Sequence, residues 1–327
     1  MKYSTNEWDK LKSVIVGSAL GAKVPYVDAS VRTVNYADLD DDAVAQIPVG
    51  DYPQQVILEA QEDLYRLTVF LQSQGVTVHR PDFFFTQQVE YYDYCPRDLV
   101  FLHAEHALAT PVPLRCRDQN YRNIAHRIPR INELPRYNSD DLYNTACIGN
   151  PDILALTEVA PAFDAANTLR ANDHVLYLVS NSGNRAGAHL LQELLGNDVK
   201  VHTLEGVYSY MHIDSTIAFL REGLMLLNPA RIKDINVLPK PFRSWDYIWC
   251  PEPVDIGHYP GICNASEWIN MNLFSVNPDL VVLEENQHPL RQALEQHGIE
   301  CAMLPMRHQR TLGGGFHCVT LDLERSA

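Results

Sequence analysis

Apolar residues recur along this chain in two alternating rhythms. Within residues 54–74, Val56, Ile57, Ala60, Leu64, Leu67, Phe70 and Leu71 fall at three- and four-residue steps, which predicts an amphipathic helix stopped by Gly75. Shorter apolar runs flank it at 11–17 and 76–81 and read as strands. The unit is strand, helix, strand. Comparable sets follow: strands at 99–102 and 107–110 with a helix at 121–128; strands at 173–179 and 199–204 around a helix at 185–195; strands at 280–283 and 300–304 around a helix at 289–297. Residues 215–220 and 224–227 read as a hairpin turned by Glu222-Gly223. The copies share a pattern and negligible sequence identity. Five such modules suggest α/β units closed in a ring with one site at the axis; an ordinary open α/β sheet is the competing arrangement.

Between these modules the segment from Gly17 to Pro53 reads as loop with little regular structure. Residues 129–152 and 233–262 are proline-rich connections too long for simple turns, and ordered loops of that kind often serve as lids. No interdomain linker stands out, so residues 1–327 are expected to form a single domain. The first residues are polar and no apolar run nears the roughly 18 residues of a membrane span, so neither export nor insertion is expected and the location is read as cytoplasmic.

Composition narrows the partners. The formal net charge of −15 argues against nucleic acid, whose phosphates want Lys and Arg. It suits a cationic small ligand, although solubility explains it equally well. The seven cysteines are odd in number and contain no CxxC pair. They form neither a disulfide framework nor a zinc site and suit a reducing compartment. No metal and no cofactor is expected.

Candidate chemistry concentrates near the C-terminus, at Leu312-Gly313-Gly314-Gly315-Phe316-His317-Cys318, which runs into an alternating segment, 319–323, read as a half-buried strand. Glycines allow positive φ and close approach, and a turn that delivers one thiol to the lip of a strand is a mount for a nucleophile. Taken alone, the stretch reads first as a tight turn beside a buried cysteine, and it is the residues upstream that reverse this. Upstream, Met211-His212-Ile213-Asp214 supplies an imidazole and a carboxylate, or a polar pair at a strand end. Asp98 after Arg97 reads as a ligand or a surface ion pair, Asp164 as a catalytic carboxylate or an N-cap for a turn beginning at Ala165, and Arg231 as a ligand or a turn residue.

Several segments together resemble the arginine:glycine amidinotransferase family of the pentein, or guanidino-group-modifying, superfamily. They are Asn6-Glu7-Trp8-Asp9 with Val14-Ile15-Val16-Gly17, Pro96-Arg97-Asp98, Thr157-Glu158 with Phe163-Asp164-Ala165-Ala166, Met211-His212-Ile213-Asp214, Leu227-Asn228-Pro229-Ala230-Arg231, Met271-Asn272-Leu273 and the glycine-cysteine stretch. They fall in the family's order over nearly the whole chain. The resemblance implies an α/β fold, a five-bladed pseudosymmetric α/β-propeller (pentein fold) of ββαβ-type modules around a central site. It further implies Cys318 as nucleophile, His212 as general acid/base and Asp164 as the carboxylate that orients His212. Asp98 and Asp214 would hold a guanidinium, Arg231 would face the donor's carboxylate, and Met211 and Asn270 would belong to the substrate pocket. The implied partners are L-arginine as donor and a primary amine as acceptor, in the setting of specialised metabolism; a homodimer is compatible with this.

That chemistry needs those residue types. The guanidinium carbon is a poor electrophile, so a thiolate is the suitable nucleophile, and carboxylates match the planar fork of N–H donors. A thiol among carboxylates has a raised pKa, which a bound cation and an imidazolium lower again. Departures from the glycine-using enzymes point away from glycine as acceptor. Asn270 stands where they have serine, Ser209-Tyr210 where they have Asn-Pro, and Asn120-Tyr121-Arg122 where they have Glu-Tyr-Arg, and the chain is shorter between Pro129 and Thr157. A guanidino-group hydrolase of the same superfamily and a non-catalytic binding protein of that fold are the alternative readings. Asp322, on the strand after Cys318 and outside these motifs, reads as an acidic position remote from the site.

Overall fold

In the computed structural model, which describes residues 2–82 and 93–326, the apolar rhythms become five three-stranded sheets, with one further two-stranded ribbon among the described residues. Strand β1 (Lys10–Val16) carries Val14, Ile15 and Val16 into the interior. The stretch that follows is more ordered than its sequence suggests. A ribbon of β2 (Lys23–Val24) and β3 (Gly50–Asp51) encloses helices α1 (Ala29–Val34) and α2 (Asp41–Ala45). Asp28 and Asp40 cap these helices by accepting a first-turn N–H, a local interaction that offsets their short length. Helix α3 (Gln54–Ser73) buries Val56, Ala60, Leu64, Leu67 and Leu71, as its periodicity predicts, and returns to β4 (Thr77–His79), parallel to β1.

The later modules repeat one order, an antiparallel pair followed by a third strand parallel to its second member. The second contains β5 (Val100–His103), β6 (His106–Ala109), the single-turn α4 (Arg122–Ala125) and β7 (Asn132–Glu133). The third contains β8 (Thr168–Ala171), β9 (His174–Leu178), α5 (Arg185–Leu195) and β10 (Lys200–Leu204). In the fourth, β11 (Ile217–Arg221) and β12 (Leu224–Leu227) form the expected hairpin, and β13 (Asp246–Trp249) joins them from within the connection read as loop at 233–262. The fifth contains β14 (Phe274–Asn277), β15 (Leu280–Glu284), α6 (His288–Glu295) and β16 (Glu300–Leu304). After the short α7 (Gln309–Leu312), the last strand β17 (Thr320–Ser326) pairs antiparallel with β1, so the two ends of the chain share one sheet. Strands β8 and β14 are invisible to an apolar-alternation reading because each carries polar residues, among them Arg170 and Ser275, that are buried.

β17 corrects two sequence expectations. It is buried on both faces over its first half, since Thr320, Leu321, Asp322 and Leu323 are each almost fully covered. Asp322 is not a remote acid: it accepts from Arg97 at 2.7 Å, from Arg170 at 2.7 and 2.8 Å, and from Arg325 at 2.7 Å. Glu7 joins this network through Arg170, at 2.7 Å from its Nε, and through Arg97 at 3.3 Å. Buried charges persist only when paired and hydrogen-bonded, and here one network ties the N-terminal segment, β8 and β17 together. Among the described residues no helix is long and apolar enough to cross a membrane.

Candidate active site

Each module contributes to one cluster from the same place, the short turn that enters its first strand. Asp98 ends the 3-10 turn Pro96–Asp98 before β5, and Asp164 precedes the turn Ala165–Asn167 before β8. His212 precedes the turn Ile213–Ser215 before β11, with Asp214 inside it, and Asn272 follows the turn Glu267–Met271 before β14. His317 and Cys318 lie just ahead of β17. These turns leave side chains at strand entries free to point at one another.

The glycine stretch works for two separate reasons. Gly313 ends α7 in the left-handed region, with φ of 77°, where other residues are strained. Gly314 and Gly315 are required by space instead. A Cβ on Gly314 would lie 2.5 Å from Cys95 Sγ, and one on Gly315 would lie 2.8 Å from Asn272 Cβ. The backbone can therefore press against Cys95 and Asn272, and Cys318 is held between them.

Cys318 Sγ donates to Asp214 Oδ2 at 3.2 Å and accepts from Asn272 Nδ2 at 3.3 Å. Asn272 Oδ1 also accepts the backbone N–H of His317 at 2.9 Å and of Cys318 at 3.1 Å. His317 Nδ1 lies 2.9 Å from the same Asp214 oxygen, with Nε2 3.5 Å from Glu7 Oε2. His212 Nε2 is 2.9 Å from Asp164 Oδ2, and its Nδ1 is 3.6 Å from Asp98 Oδ1. Asp164 occupies the N-cap position of its turn without making a side-chain cap bond; its carboxylate is spent on His212 and Arg117. Asp98 is buried, not a surface ion pair, and Arg117 Nη1 grips its Oδ2 at 2.6 Å. One oxygen each of Asp98 and Asp164 has no hydrogen-bond partner among the described residues.

Two of the substrate-pocket expectations need refinement. Arg231 is no mere turn residue: its guanidinium lies 3.5 Å from the Tyr208 ring centroid, and Nη1 donates to Ser215 O at 2.7 Å and Thr216 Oγ1 at 2.8 Å. Asn270, in contrast, turns away from the cavity. Its amide donates to Glu267 O at 2.7 Å and accepts from Gln309, so a buried polar pair consumes it. Asn272, two residues on, is the one brought to Cys318. Its signal was the Met271-Asn272-Leu273 segment and its module position. Arg117 had no such signal, since a buried arginine looks like a surface one in sequence.

Electrostatics follow from this packing. The thiol of Cys318 is held well above its usual range by hydrogen bonding with Cys95, by burial and by the Asp214 charge, with His212 acting in the opposite sense. Burial alone would lower the His212 imidazole, but the Asp98 charge and the Asp164 hydrogen bond outweigh it and raise the group well above the ordinary value. Asp214 is likewise opposed by burial, yet His317 and His212 hold it well below the carboxylate range. Burial raises Asp98, against the charges of His212 and Arg117. The resting pair is thus a thiol beside an imidazolium, among carboxylates with unused acceptors. Such a site attracts a planar cation and gives it a sulfur to meet. Met211, His212, Asp214, Arg117, Arg231 and Cys318 all line one cavity of about 590 Å³.

Comparison with known proteins gives a consistent result. No family model matches the chain. An inosamine-phosphate amidinotransferase of Streptomyces glaucescens is 43% identical over 342 residues, covering 98% of this chain and 96% of its own. An L-arginine:L-lysine amidinotransferase of Pseudomonas savastanoi pv. phaseolicola is 30% identical over 98% of this chain and 94% of its own. The solved structure of the inosamine-phosphate amidinotransferase of Streptomyces griseus superposes with a TM-score of 0.92 at 40% identity, covering 100% of this chain and 97% of that one.

Proposed function

The chain belongs to the amidinotransferase family, with the pentein fold, and from that premise we propose that it moves the amidino group of L-arginine to a primary amine by way of an amidino-cysteine on Cys318. The observation that carries the proposal is the convergence of Cys318, Asp214 and His212 at one cavity, with the sulfur already hydrogen-bonded to a carboxylate at 3.2 Å. In this reading Asp98 and Asp214 take the guanidinium through their oxygens, and Arg231 takes the donor's carboxylate. A cation arriving beside Asp214 offsets one of the charges that keep the Cys318 proton in place, so the substrate promotes its own nucleophile.

Because His212 is already protonated, the Cys318 proton passes to solvent as the cation binds. Sγ then bonds to the guanidinium carbon, the bond from that carbon to the side-chain nitrogen breaks, and His212 gives its proton to the departing ornithine amine. Asp164 holds the imidazole for that transfer. In the second half-reaction the acceptor amine attacks the same carbon, His212 takes its proton, and the C–S bond breaks to return the thiolate. The order is ping-pong. With β1 and β17 in one sheet, the chain is read as a single domain.

The acceptor is read as a polar amine larger than glycine. Tyr36, Asp38, Tyr210, Glu267 and Trp268 line the same cavity, and at about 590 Å³ it exceeds what glycine fills. Aromatic and carboxylate side chains together suit an amine that carries further hydroxyl or charged groups, and the relatives named for inosamine phosphate and lysine agree with that size. A route to a specialised metabolite is the setting proposed.

Arginine alone should leave an amidino adduct on wild type, seen by intact mass, and none on Cys318→Ala. Arginine with hydroxylamine should give ornithine and hydroxyguanidine. Citrulline in place of hydroxyguanidine would overturn the transferase reading, and a mass-spectrometric screen of amines then identifies the acceptor.

A further inference from the structure

The carboxylates around His212 already hold one guanidinium, and it belongs to the protein. Arg117, in the turn Arg115–Arg117, is buried and lines the cavity. Its Nη1 lies 2.6 Å from Asp98 Oδ2 and 3.4 Å from Asp164 Oδ2. These are the two carboxylates that face the imidazole, Asp164 Oδ2 at 2.9 Å from Nε2 and Asp98 Oδ1 at 3.6 Å from Nδ1. One Asp164 oxygen is therefore shared between arginine and histidine.

We propose that Arg117 is a positioning residue for His212, a fixed cation that offsets the two carboxylates around the imidazole so that it can release its proton to the departing amine. This rests on the acid/base role of His212 argued above. An imidazole between two uncompensated carboxylates binds its proton too tightly to act as an acid near neutral pH. A cation behind both carboxylates opposes that hold, and unlike a substrate it is present in every step. By engaging Oδ2 of Asp98, Arg117 also leaves Oδ1, which has no hydrogen-bond partner among the described residues, as an acceptor for an incoming guanidinium. The other charged or titratable groups facing His212 are Asp214 and Cys318. A lysine could supply the charge but not two N–H directions from one plane.

The test is the pH dependence of kcat/KM for arginine in wild type, Arg117→Gln and Arg117→Lys, beside the pH dependence of Cys318 alkylation by iodoacetamide without substrate. Loss of a cation raises the pKa of each neighbour. Arg117→Gln should therefore move both limbs of the rate profile and the alkylation curve upward by roughly one to two pH units, as a unit charge a few ångströms away does in a partly polar interior. Arg117→Lys should lose rate yet keep the wild-type limbs. A folded Arg117→Gln with wild-type limbs would make Arg117 a structural strut and overturn the proposal. If that variant does not fold, Arg117→Met, uncharged and of similar length, is read the same way: limbs displaced upward support the proposal, and wild-type limbs overturn it. Should wild type transfer no amidino group from arginine, the functional reading fails, and the alkylation curves still decide whether Arg117 sets the charge of the site.

Discussion

Two buried clusters of charge lie next to each other in this protein, and they differ in one respect. In the first, Glu7, Arg97, Arg170, Asp322 and Arg325 pair so fully that both Asp322 oxygens and both Glu7 oxygens have arginine partners. In the second, Asp98, Asp164, Asp214, His212, Arg117 and Cys318 leave Asp98 Oδ1 and Asp164 Oδ1 without a hydrogen-bond partner among the described residues. His317 stands between them, facing Asp214 on one side and Glu7 on the other. Buried carboxylates are costly in either place. Where their acceptors are filled by the protein they hold segments together, and where acceptors are left over a ligand can complete them.

The largest expected effect sharpens that contrast at the sulfur. Cys318→Ala should lower kcat by about 10⁴-fold or more, as loss of a covalent nucleophile does, while the melting temperature stays within a few degrees. Steady-state kinetics and calorimetry on the same sample check it, and a residual rate above about a hundredth would remove Cys318 from its role.

Next comes the paired cluster. Asp322→Asn leaves Arg97, Arg170 and Arg325 short of a counter-charge, and urea unfolding should show a loss of about 3–5 kcal/mol, the usual cost of breaking a buried pair from one side. An unchanged unfolding midpoint would mean that this network does not hold the fold. The same change at Asp214 should act on catalysis instead. Asp214→Asn removes one charge-assisted hydrogen bond worth about 1.5–3 kcal/mol, so kcat/KM for arginine should fall roughly 10- to 200-fold in a protein that still folds. Equal kinetic losses in folded Asp214→Asn and Asp322→Asn would erase the distinction between the clusters.

The smallest effect concerns pH. Glu7 and Asp322 are held below their ordinary range, so their stabilisation is present above the unfolded carboxylate value and is lost as pH falls through the folded one. His212 is raised, so its share is present below the unfolded imidazole value, near 6.5, and is lost as pH climbs towards the folded value. Wild-type unfolding free energy should therefore decline from about pH 6.5 to 8, below the range where the buried thiols begin to contribute, by at most about 1.4 kcal/mol per unit for one proton. His212→Gln should flatten that slope and leave the acid limb in place. A slope that survives the substitution would assign the alkaline sensitivity to another group.

Much of the fold was legible because its modules are local. The stripe of α3 and the hairpin of β11 and β12 arise from residues close in sequence, whose apolar spacing is fixed by the backbone period. Strands β8 and β14 escaped because Arg170 and Ser275 are buried polar residues, and a polar residue in a strand is read as solvent-facing. The site was legible to the same degree. Cys318, His212, Asp164 and Asp214 stood in recognisable segments and the structure brings them together, whereas Asn270 proved to be spent on Glu267 and Gln309.

By itself, then, the sequence determined the local elements whose apolar spacing shows along the chain, such as α3 and the β11–β12 hairpin, and which residue types could carry out chemistry at a guanidinium. Only the tertiary structure decided which carboxylates hold the fold and which stay open. Asp322 meets Arg170 from 152 positions away, and Arg117 meets Asp164 from 47. Whether an acid is neutralised depends on the cations that arrive from such distances and on the water that burial removes, and neither is encoded in the residues beside it.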